Sequence, residues 1–217
     1  MKTNRFIAAL VILMLATGCK QNANNNMDDQ QVENNYPSAS AALDYVKANL
    51  HLILSESQVK SYNLGSEEQI KKLVVTNDLP LLLLPMDLLN DSVIQSVSEA
   101  RVYTLGEDRN PKICVVVKNP EGKNWIVSTI GLMKYVQSIG SHQDVTAVVD
   151  VLGLEISLIE VQSATGKVYL PIADYPEAGL YEQTAYDVKE VLRNLEAYRA
   201  ELEKKFGKEF SSGALDK

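Results

Sequence analysis

Two cysteines and two histidines in 217 residues leave little material for the commonest kinds of chemistry. A chain with so few thiols builds no disulfide framework. Metal ligation draws on grouped His, Cys, Asp or Glu, and no such grouping is legible here. Neither Gly-x-x-x-x-Gly-Lys-Ser/Thr nor Gly-x-Gly-x-x-Gly occurs, which removes the two common phosphate-cradling loops. Lys and Arg form no stripe, and 21 basic against 28 acidic residues leave a net charge of −7. That balance excludes an electrostatic grip on nucleic acid or on anionic lipid. No cofactor and no nucleic-acid partner are expected.

One apolar run stands at the start. Lys2 and Arg5 precede an uninterrupted apolar stretch from Phe6 to Ala16. About 11 helical residues rise about 16 Å, too short for a hydrocarbon core of roughly 30 Å. Basic start, short apolar middle and small-residue end are the parts of an export signal. The stretch closes on Ala16-Thr17-Gly18-Cys19, which resembles the lipobox of bacterial lipoproteins, with Ala16 where a larger residue is more usual. The resemblance covers residues 1–19 only. It implies removal of residues 1–18, diacylation of the Cys19 thiol and a membrane anchor made of acyl chains. Lys20, rather than Asp, follows the cysteine, and in the family this implies sorting outward, to an outer membrane where one exists. Cys114 is then the one remaining thiol.

Residues 20–36, "KQNANNNMDDQQVENNY", are too polar to offset the entropy of ordering and read as a tether. Such a segment reaches about 60 Å when stretched and about 23 Å as a coil. Residues 37–210 then form one domain, with a frayed tail at 211–217.

Within the domain, Ser38 and Ser40 offer N-caps to a helix carrying Leu43, Val46, Leu50 and Ile53 on one face. "QVKSYNLG" (58–65) reads as a short strand, and Ser66 opens a short helix. "LPLLLLPMDLL" reads as a strand bracketed by Pro80 and Pro85, followed by a helix over 86–97. "ARVYTLG", "KICVVVKN" and "NWIVSTIG" predict an antiparallel meander over 101–130. A helix ending at Gly140, three further strands between 144 and 174, and a long amphipathic helix capped by Thr184 complete the chain. The fold class is α+β: antiparallel sheet built from meander and hairpins, packed against helices. The hairpin-then-helix units at 112–139 and 154–206 suggest a duplication.

Candidate reactive groups were weighed one at a time. Cys114, His142 and Asp144 can be imagined as a thiol-protease set, yet Cys114 alternates mid-strand with Val116 on its own face. His51 falls on the first helix between Leu50 and Leu52, where a half-buried helix residue is expected. Ser57-x-x-Lys60 matches part of the signature of penicillin-binding serine enzymes but lacks the downstream Lys-Thr-Gly strand. Asp87 with Asp91, and Glu67 with Glu68, lack a third ligand. Tyrosine is the exception to the general scarcity, with ten in the chain. Tyr175, Tyr181 and Tyr186 cluster in "DYPEAGLYEQTAYD" and are the nominated binding surface, because tyrosine joins a flat apolar face to a hydroxyl. The residue pattern points to a lipid-anchored, non-catalytic envelope protein that binds a protein or another envelope component. The alternatives are an envelope hydrolase and a carrier of a small apolar ligand with a pocket at Leu81–Leu84.

Overall fold

A computed structural model describes residues 35–85, 99–120 and 122–207. The export signal, Cys19, most of the tether, the helix expected at 86–97 and the tail lie outside the described residues. Among the described residues, contacts of the domain begin at Tyr36, one residue before the expected boundary. Tyr36 exchanges two 2.8 Å backbone hydrogen bonds with Trp125 and sets its ring against Tyr45.

The helix α1 (Ala39–Ile53) starts where Ser38 accepts a hydrogen bond from the Ala41 N–H, and it buries Ala42, Leu43, Val46 and Leu50. The strand expected at 58–65 is a helix instead, α2 (Glu56–Ser61). A capping box overrides the alternation: the Ser55 hydroxyl accepts from the Gln58 N–H, and the Gln58 side chain accepts from the Ser55 N–H. A single turn, α3 (Glu67–Ile70), follows Ser66.

Seven strands come next: β1 (Val74–Pro85), β2 (Glu99–Glu107), β3 (Asn110–Asn119), β4 (Ile126–Gly131), β5 (Val145–Leu152), β6 (Ile156–Ser163) and β7 (Gly166–Pro171). Their order in the sheet is β4-β3-β2-β1-β5-β6-β7. Every neighbouring pair is antiparallel except β1 with β5. The expected meander is therefore present as β2-β3-β4, and the α+β class holds. β1 begins six residues earlier than Pro80 and passes through it. Its first half, to Pro80, pairs with β2, and its second half, from Leu81, pairs with β5. A residue without an N–H is tolerated where the ladder passes from one neighbour to the other.

The strand period of two sorts side chains to opposite faces. Tyr103, Ile113, Val115 and Val117 face α1. On the same face, at the far half of the sheet, Leu84, Val149, Val151 and Leu158 pack under α5 (Val188–Phe206). The opposite face carries α4 (Met133–Ser141), whose Tyr135, Val136 and Ile139 cover Val102, Cys114, Val116 and Val148. The two hairpin–helix units thus end in helices on opposite faces. The chain enters α4 through Gly131, with φ +122°, where a Cβ would stand 2.3 Å from the Tyr62 hydroxyl.

Thr184 does not cap α5. Asp187 does, accepting from the Glu190 N–H at 2.8 Å while the Glu190 carboxylate accepts from the Asp187 N–H at 3.2 Å. Thr184 instead closes a turn on the Tyr181 carbonyl. Asp187→Ala is expected to lower stability by about 1 kcal/mol, read as a shift in the urea midpoint with an unchanged slope; Thr184→Ala should leave the midpoint where it was.

Candidate binding groove

The reactive groups singled out in the sequence are not brought together. Cys114 is fully buried in β3 under α4, and burial, helped by the nearby Asp150 carboxylate, pushes its thiol up to about 12. His142 lies exposed just past α4, and Asp144 follows it with φ +59°. No hydrogen bond joins the three among the described residues. His51 points its Nε2 at Glu67, 3.5 Å away, and its Nδ1 is buried without a partner. Ser57 sits on exposed α2 with its hydroxyl 3.0 Å from that of Ser55. Leu81 and Leu83 pack under α4 while Leu84 packs under α5, so this leucine run serves the core on both faces. Asp87 and Asp91 lie outside the described residues.

Two polar networks, one part-buried and one around the buried Glu160, were not legible in the sequence. In the first, Asp150 of β5 accepts hydrogen bonds from the Tyr135 hydroxyl of α4 and, at 2.6 Å, from the Ser157 hydroxyl of β6. Burial and the Asp150 carboxylate raise the Tyr135 phenol above its ordinary range, so it stays a donor. In the second, Glu160 of β6 accepts from Thr146 at 2.7 Å, Tyr169 at 2.8 Å and the Lys167 ammonium at 2.9 Å. Each network ties neighbouring elements together with its polar atoms satisfied, as buried polar groups require. A charged residue inside an apolar strand, as in "VVDV" and "LIEV", was the available sequence signal.

The tyrosine loop between β7 and α5 divides by role. The Tyr175 hydroxyl accepts from the Ser157 N–H at 3.1 Å, and its ring packs against the core under α5. The Tyr186 hydroxyl accepts from the Tyr181 N–H at 3.1 Å and donates to the Gly179 carbonyl at 3.3 Å. Its backbone pairs in both directions with Tyr169, covering part of the outer edge of β7. Tyr175 and Tyr186 therefore shape the loop, and Tyr181, 48% exposed, is the ring left facing solvent.

Directly after Tyr181 the loop forms one wall of an open groove of about 310 Å³. Glu182 and Gln183 make that wall, fixed by a 2.8 Å hydrogen bond from the Glu182 N–H to the Asp174 carboxylate. Gln183 is held in the left-handed region, φ +66°, a conformation that non-glycine residues seldom adopt. Gln137, Ser138, Ser141 and His142 of α4 and its end make the opposite wall. Ile159, Leu170 and Pro171 form an apolar floor between them. His142 Nδ1 lies 2.9 Å from the Ser138 carbonyl. A carbonyl only accepts, so Nδ1 carries a proton. Ser141 donates to the Gln137 carbonyl at 2.7 Å, which leaves its lone pairs as acceptors.

Among the described residues no Lys or Arg lines the groove, and no group of three metal-ligating side chains occurs. No described helix is long and apolar enough to cross a membrane. No protein-family model, curated protein or solved structure matches this chain. What the arrangement can do follows from its own chemistry: hold a ligand by hydrogen bonds over an apolar floor.

Proposed function

We propose that this protein is a lipid-anchored, non-catalytic component of the bacterial cell envelope that holds another envelope constituent in the groove beside Tyr181. The groove carries this reading. It is an open recess lined by hydrogen-bonding side chains, and the exposed Tyr181 directly precedes its Glu182–Gln183 wall in the chain, whereas the Cys114 thiol is enclosed in the core. The lipobox and the Asn-rich tether support the address. Acyl chains on Cys19 hold the domain at the membrane, and the tether lets the groove reach material some tens of ångströms away.

Photo-crosslinking in intact cells tests this reading. A benzoylphenylalanine in place of Tyr181 or of Gln183 is expected to give a discrete adduct. The same group in place of Lys189, exposed on α5, should give none. No adduct from either groove position, or the same adduct from position 189, overturns the proposal.

A further inference from the structure

We infer that the groove takes a short segment of a neutral glycan, an inference that rests on the groove being the binding surface. The side chains set the terms. Ser141 Oγ offers lone pairs as acceptors because its one proton is engaged with the Gln137 carbonyl. The Glu182 carboxylate adds acceptors, and the Gln137 and Gln183 amides offer one donor face and one acceptor face each. A ligand that satisfies such a lining brings many donors along with its acceptors. Sugar hydroxyls do both at once. A phosphate or carboxylate group brings acceptors alone and meets no cation here.

The floor adds a second requirement. The side chains of Ile159, Leu170 and Pro171 are carbon alone, with Leu170 the most exposed of the three, and a fully polar ligand would lose hydration over them without compensation. A pyranose ring has hydroxyls around its rim and a C–H face that sits on such a floor. The volume lies at the low end of the roughly 300–1,000 Å³ typical of ligand clefts, and the open form lets a chain run on beyond it.

An extended peptide fits less well. It would add as a strand to the nearest sheet edge, that of β7. There Pro171 has no N–H, the Tyr169 N–H and carbonyl are already paired with Tyr186, and Lys167 occupies the remaining outward position. Such an edge is blunted against strand addition.

Titration calorimetry on the full acylated chain in detergent tests the inference. The probes are cellotetraose and chitotetraose as neutral glycans, tetragalacturonate as an anionic one, and a neutral octapeptide. At least one neutral tetrasaccharide is expected to saturate with a Kd on the order of 0.1–1 mM. Gln137→Ala and Gln183→Ala should each weaken it about fivefold, the worth of one net hydrogen bond, and Lys189→Ala should leave it unchanged. If neither neutral sugar saturates, or tetragalacturonate or the peptide binds instead, the glycan assignment fails. Adducts at positions 181 and 183 without sugar binding would leave the groove standing as a binding surface and remove only the ligand class. Loss of both removes the two together.

Discussion

Cys19→Ser is expected to abolish palmitate incorporation and move the protein from the membrane pellet to the soluble fraction. The size of this effect follows from chain counting. Each buried methylene contributes about 0.8 kcal/mol, a single myristoyl chain holds with an association constant of only about 10⁴ M⁻¹, and stable anchoring takes two signals. The resemblance at residues 16–19 implies two or three chains on one sulfur and its neighbouring amine. A serine hydroxyl is a far weaker nucleophile than the thiolate and receives none of them. The remaining apolar stretch, Phe6 to Ala16, spans about half a bilayer core, and no described helix can replace it. Metabolic labelling with palmitate together with fractionation reads both arms. A Cys19→Ser product that is trimmed at the same position and still pellets with membranes would sink the anchoring proposal.

Glu160→Ala is expected to destabilise the fold by about 3 kcal/mol, toward the upper end for a single substitution. The Glu160 side chain is 4% exposed and holds three donors. Lys167, largely exposed, turns to water when its partner goes. Tyr169 has no such exit: its hydroxyl stays buried without an acceptor and carries the desolvation penalty. The same site gives a pH dependence. Burial, the largest single influence, pushes the Glu160 carboxyl upward, but the hydrogen bonds from Lys167, Thr146 and Tyr169 and the Lys167 charge outweigh it. The group therefore sits below the ordinary glutamate range when folded. Its contribution is present above the unfolded value, about 4.3, and is lost as pH falls through the folded one. Urea midpoints at pH 7 and pH 3 should converge between wild type and Glu160→Gln at the lower pH. A gap between them that does not narrow would mean that the carboxylate is not stabilised as described.

The elements legible in the sequence were those written locally. Runs of β-branched residues on either side of "NPEGKN" set out β3 and β4, and an apolar stripe from Val188 to Leu202 set out α5. Where two local signals competed, the stronger hydrogen-bonding one prevailed: Ser55 with Gln58 made α2 of a segment whose Val59, Tyr62 and Leu64 read as strand. The parallel pairing of β1 with β5 was illegible because nothing near Leu81 refers to Val148. The groove was hidden for the same reason. Its walls come from residues 137–142 and 182–183 and its floor from 159–171, and no spacing rule links three such segments. Tyr181 was nominated through its residue type alone, and Tyr175 and Tyr186, nominated with it, make hydrogen bonds within the loop and to β6 that the sequence did not set out.

The double pairing of β1 also has a kinetic side. Ribosomal synthesis delivers the N-terminal portion first, so "LLLL" at 81–84 is made well before Val148–Val151 arrive to zip against it. Until then the most oily segment of the described domain has its second flank open, and late long-range closure of this kind is slow and prone to clumping. Chaperone dependence during biogenesis should therefore concentrate on this one strand, and a nascent chain truncated after Asn119 should bind a holdase more persistently than one extended through Pro171.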